Sequence, residues 1–265
     1  MQESQFIQKI SQNHPDLVPI FQNNFEEGMD KLDEHLRGNI AEFLREMSHF
    51  FLKYEPGENS LYIELLKKLK NKLHSITFVT TNYDCLIELS AVKIGVEKFF
   101  YNSCLNKNNS IHILKIHGSP NFIPEMNGNQ FINCTIEVKG THLDAPCRAV
   151  DLYTAKQFLQ TNDTLAPAIA MYHPKKQVRY CPEFVKFQQS EWIRSLHQAK
   201  RCIIIGLKYN SADEHIWKEL EKSTCHKYYV GSFEQDLKII KKFSHLSDTF
   251  ENAFDRIIQI VTKPY

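Results

Sequence analysis

Four strand-like runs, the first of them apolar and β-branched, are each followed at once by small and polar side chains. Ile76–Thr80 leads into Thr81-Asn82-Tyr83-Asp84, and Ile111–Ile116 leads into His117-Gly118-Ser119-Pro120. Arg201–Ile205 leads into a stretch from Gly206 through Lys208 to Asp213-Glu214-His215, and His226–Val230 leads into Gly231-Ser232. Carboxamide, carboxylate and imidazole groups in such places offer hydrogen bonds and, from the imidazole, proton transfer. Each piece also has an ordinary reading. Asn82 and Asp84 suit a helix cap, His117-Gly118 a strand-end turn, and Gly206 a tight strand end. Their coincidence points to a ligand, because open parallel sheets bind ligands outside the carboxyl ends of their strands.

The elements that must carry these groups are legible as changes of period. Ile40, Phe43, Leu44, Met47, Phe51 and Tyr54 recur at helical spacing, as do Tyr62, Leu65, Leu66, Leu69 and Leu73. Asn59-Ser60 after Pro56-Gly57 suits the start of the second of these helices. The four runs are strands, with a helix expected over about 85–91. Val185, Trp192 and Leu196 mark a helix before the third strand, and Phe250, Phe254, Ile257, Ile258 and Val261 a final one. Strands alternating with helices predict an α/β fold, a Rossmann-like parallel sheet covered by helices. Residues 1–75 form a helical N-terminal segment expected to pack on a main domain of 76–265. The less regular 121–168 is a small insertion, with a short helix near Tyr153.

The formal charge is +1, from 32 basic and 31 acidic side chains, so no basic field for nucleic acid is indicated. No run approaches a membrane span, and no basic-then-apolar leader opens the chain. Seven cysteines lie scattered without any C-x-x-C pair. Free thiols in a reducing, cytoplasmic setting are expected, and no zinc.

Thr80-Thr81-Asn82-Tyr83-Asp84, then His117-Gly118-Ser119, then Gly206 through Asp213-Glu214-His215-Ile216 resemble, in this order, the sirtuin superfamily. More narrowly they resemble its bacterial branch of NAD hydrolases in antiphage defence, over roughly residues 20–235. The resemblance implies NAD as substrate, cleaved between nicotinamide and ribose, with NAD or ADP-ribose as ligand. Asn82 would hold a water or ribose hydroxyl in line with the reacting carbon, and His117 would accept the proton. Asp84 would orient the Asn82 loop or the nicotinamide amide. Thr81, Gly118, Ser119, Gly206, Lys208, Asp213 and Ser232 are the further expected cofactor contacts. Gly206 would let backbone approach the dinucleotide, and Ser232 would meet the adenosine ribose.

The pattern departs from the family in three ways. No strand followed by a G-A-G-x-S type loop opens the chain, and the earliest glycines, Gly28 and Gly38, stand alone in helical surroundings. Lys208 stands where the family often has Ser or Thr, either pairing with a phosphate or solvated. The paired C-x-x-C zinc motif of the deacylases is absent, which favours water over acyl-lysine as the acceptor. A truncated reading frame, a degenerate non-catalytic scaffold or regulatory subunit, and completion of the site by another subunit each account for the missing loop. The N-terminal helices are the expected surface for a protein partner or for homo-oligomers.

Overall fold

The computed structural model describes residues 5–37, 40–102, 109–125, 134–137, 140–160, 165–170, 178–209, 213–232 and 242–263. In chain order the elements begin with four helices: α1 (Gln5–Asn13), α2 (Val18–Asn23), α3 (Phe25–His35) and α4 (Ala41–Phe51). Then come α5 (Leu61–Lys68), β1 (Thr77–Thr80), α6 (Leu86–Lys93), β2 (Lys98–Phe100) and β3 (Ser110–Lys115). Short strands follow: β4 (Phe122–Pro124), β5 (Cys134–Glu137), β6 (Gly140–Leu143) and β7 (Cys147–Ala149). The remainder is α7 (Leu152–Gln160), α8 (Pro182–Gln198), β8 (Arg201–Ile205), α9 (Glu214–Lys222), β9 (His226–Val230), β10 (Ser244–Ser247) and α10 (Phe250–Thr262). The chain divides into two compact units. One comprises residues 1–55, 80–85 and 115–189, and the other 56–79, 86–114 and 190–265.

The second unit carries the parallel strands of a mixed α/β fold. One three-stranded sheet has the order β1-β3-β2, with β2 and β3 parallel. The other has the order β10-β9-β8 and is parallel throughout. β8, α9 and β9 form a strand–helix–strand crossover, the Rossmann-like unit. Ile111 and Ile113 are fully buried in one core with Leu66, Leu69, Val230, Phe254 and Ile257. The amphipathic stripes of α5 and α10 are thereby buried against strands, the usual source of helix stability in a folded chain. α5 starts after Ser60, whose side chain makes no capping bond, whereas Thr249 caps α10 by accepting from the Asn252 N–H.

The first unit is built on α1–α4, whose apolar faces bury Met29, Leu32, Phe43, Leu44 and Met47 with Ile169 and Tyr180. Two antiparallel pairs, β4 with β7 and β5 with β6, and the helix α7 occupy the expected insertion. Arg45, itself buried, donates to the carbonyls of Leu165, Phe158 and Leu159. Two of these belong to the end of α7, where carbonyls lack helical partners and a cation is favoured.

Candidate functional site

The first unit contains both motif segments expected to carry the chemistry. Thr80 ends β1 and Lys115 ends β3, the motif segments continue from them, and the Ile116 N–H donates to the Thr80 carbonyl at 3.2 Å. That bond joins the strand ends immediately before the polar segments that carry Asn82 and His117. Asn82 is exposed, its N–H held by Thr80 Oγ1 at 3.0 Å, and Thr81 and Asp84 are half-buried. His117 is 6% exposed, and its carbonyl accepts from the Ala170 N–H at 2.8 Å.

A buried polar network holds these segments together. Lys115 is fully buried, and its ammonium donates to the Asp84 carbonyl at 2.5 Å and reaches the Tyr83 carbonyl at 3.4 Å. Its Nζ also lies 3.5 Å from Cys85 Sγ. Across the thiol stand Ser119 Oγ at 3.8 Å and Asn121 Oδ1 at 3.9 Å. Ser119 in turn donates to Asn121 Oδ1 at 2.5 Å, and Asn121 Nδ2 donates to the Val150 carbonyl at 3.1 Å. The Tyr83 hydroxyl reaches the Ala170 carbonyl at 2.8 Å, so Ala170 clips both segments from one side. Satisfied buried networks of this kind fix a single geometry, because every alternative strands a desolvated group.

Gly118 is required by packing. Its φ is +80°, and a Cβ there would stand 2.0 Å from the Ala168 carbonyl oxygen. The Ser119 N–H donates to that same oxygen at 2.9 Å, and Gly118 bridges Ile169. Gly118 and Ser119 are therefore committed to the strand-like contact with 165–170 and to the internal network. Neither Lys115 nor Asn121 was expected from the motifs. Lys115 does carry a sequence signal, a lysine inside the apolar run Ile113-Leu114-Lys115-Ile116.

The second unit holds the remaining expected contacts at the carboxyl ends of β8 and β9. Gly206 has φ +67° with open space where a Cβ would be, and its N–H donates to the Val230 carbonyl at 2.9 Å. The Tyr229 hydroxyl donates to the Leu207 carbonyl at 3.2 Å, tying the loop after β8 to the neighbouring strand. Lys208 and Ser232 are exposed, and Asp213, directly before α9, is buried. Residues 210–212 of the expected Gly206–His215 stretch lie outside the described residues, as do 131–133, 138 and Gly38.

No protein-family model matches the chain, and no curated protein matches it. Among solved structures it is similar to a complex of a mutant Sir2 homologue with ADP-ribose, at a TM-score of 0.45 and 14% identity, covering 92% of this chain and 79% of that one. It is also similar to a structure titled for the structural basis of sirtuin substrate affinity. There the TM-score is 0.43 and identity 14%, over 98% of this chain and 84% of that one.

Proposed function

We propose that this chain is a sirtuin-like domain that binds NAD and hydrolyses its nicotinamide–ribose bond. The observation that supports the reading is the hydrogen bond between the strand ends leading into the Asn82 and His117 segments, together with the Lys115 ammonium bound to the Asp84 carbonyl. Breaking that bond leaves positive charge on the sugar, so the reaction needs an aligned acceptor and a base, not a strong electrophile. Asn82, exposed on a tethered loop, is suited to hold a water or a ribose hydroxyl in line without adding an acidic proton. His117 accepts the proton as the acceptor attacks, and Asp84 orients the loop. Gly206 supports a dinucleotide ligand in the second unit, since its open Cβ space leaves backbone accessible beside exposed Lys208 and Ser232. Asp213, Thr81, Gly118 and Ser119 complete the proposed set, the last two as supports. Bacterial antiphage defence is the setting that the motif resemblance suggests.

Purified protein incubated with NAD should release nicotinamide. His117→Ala should slow that release by about 10²–10⁴-fold, the usual contribution of a positioned acid or base. Asn82→Ala should lower turnover while leaving ADP-ribose binding in place. Equal release by wild type and His117→Ala, or no saturable binding of NAD or ADP-ribose by wild type, refutes the reading.

A further inference from the structure

A strand end that carries a functional side chain still has backbone donors and acceptors to satisfy. At Lys115 and Ile116, directly before His117, both backbone groups of each residue are engaged. The Lys115 N–H donates to Gln188 Oε1 at 3.2 Å, and the Lys115 carbonyl accepts from the Gly118 N–H at 3.0 Å. The Ile116 N–H donates to the Thr80 carbonyl at 3.2 Å, and the Ile116 carbonyl accepts from Gln189 Nε2 at 3.0 Å. His117 itself is held through its carbonyl by the Ala170 N–H at 2.8 Å. Two of these partners are side chains, the consecutive glutamines of α8.

A carboxamide presents both an acceptor and donors, as a peptide group does. Gln188 uses its oxygen and Gln189 its nitrogen, as the polarity of the facing backbone requires, so the pair stands in for the peptide groups of a neighbouring strand. Gln188 is fully buried and Gln189 half-buried. A buried carboxamide is costly unless it is hydrogen-bonded, so slippage of the segment from either glutamine is penalised. The amino-terminal half of α8 is itself anchored. Phe184, one turn before Gln188, meets Phe122 of β4 edge to face at 4.9 Å, and Val185 is fully buried. All of these residues belong to the first unit.

We propose that Gln188 and Gln189 are positioning residues for His117, fixing the backbone from which the imidazole reaches the acceptor's proton. The inference rests on the reading of His117 as the base and names what holds that base in place. Both glutamines act through the main chain of 115–116. Proton transfer depends steeply on distance, and a misplacement of about 1 Å costs about 10²-fold in rate. Loss of a glutamine contact therefore falls on turnover and leaves the groups that bind the dinucleotide where they are.

The test is Gln189→Met in the full chain, with Gln189→Lys as the rescue, because a lysine of similar reach returns a donor to the Ile116 carbonyl. Gln189→Met should lower kcat for nicotinamide release about ten- to a hundredfold while KM stays within about twofold. Gln189→Lys should recover most of that loss. Hydrogen exchange over 115–119, which needs no NAD, should quicken about two- to tenfold in Gln189→Met and return toward wild type in Gln189→Lys. Gln188→Met should give the same pair of changes, strongest at the Lys115 amide. Unchanged exchange in both methionine variants overturns the proposal, and so does quickened exchange with unchanged kcat. A wild type that releases no nicotinamide refutes the proposed function and with it any part of the glutamines in that reaction. The exchange comparison tells that failure apart, since it reads the glutamine contacts alone.

Discussion

Replacing Lys115 with methionine tests whether the buried ammonium holds the Asn82 loop. Methionine keeps an unbranched apolar stem of similar length but supplies no donor. The bonds removed are those to the Asp84 carbonyl at 2.5 Å and the Tyr83 carbonyl at 3.4 Å, with the Cys85 contact at 3.5 Å. Hydrogen bonds from a charged group contribute about 1.5–3 kcal/mol, so opening of the 82–85 segment should become about ten- to a hundredfold easier. Global stability should move less, because the variant also escapes the cost of desolvating a charge. Hydrogen exchange reads both. Amides of 82–85 should exchange faster by that factor, while those of β8 and β9 in the other unit serve as the internal reference. A folded Lys115→Met protein with unchanged exchange across 82–85 would show that the ammonium does not hold the loop.

Two glycines with positive φ should respond differently to alanine. Gly118→Ala should lower the denaturation midpoint steeply, since its strained backbone alone costs about 1–3 kcal/mol and the 2.0 Å approach to Ala168 adds a clash that backbone must move to relieve. Gly206→Ala meets nothing, so it should cost only about 1–2 kcal/mol, measurable in the same denaturant titrations. Asp151 caps α7 by accepting from the Thr154 N–H at 2.9 Å and its hydroxyl at 2.6 Å, which hold the carboxyl below the usual carboxylate range. Asp151→Ala should therefore destabilise by about 0.5–2 kcal/mol at neutral pH. A carboxylate with a lowered folded pKa stabilises fully above its unfolded value of about 3.9 and loses that contribution as pH falls through the folded one. Thermal melts of the two proteins should accordingly converge below about pH 4.

Much of the architecture is legible in the sequence. The runs at 201–205 and 226–230 are strands with the expected bounds, and those at 76–80 and 111–116 shift by a residue, to Thr77–Thr80 and Ser110–Lys115. Their β-branched residues sit where strand and core demands agree. β2 and β10 have no clear sequence signal because Lys98-Phe99-Phe100 and Ser244-His245-Leu246-Ser247 are short. Their pairing comes from neighbouring strands, not from local preference. The polar residues at the strand ends were identifiable as a group, but their division of labour was not.

What the residues alone determined is the set of strands, their helices and the edge on which Asn82, Asp84 and His117 had to fall, because local periodicity records which side of each element is buried. The tertiary structure decided which polar groups face outward and which are consumed inside. Asn82 is exposed, while Ser119 closes on Asn121 and Gly118 yields its Cβ space to Ala168. It also brought the Lys115 ammonium to the carbonyls of Tyr83 and Asp84. The contact with Asp84 joins residues 31 positions apart, a separation that no local pattern of period or propensity encodes.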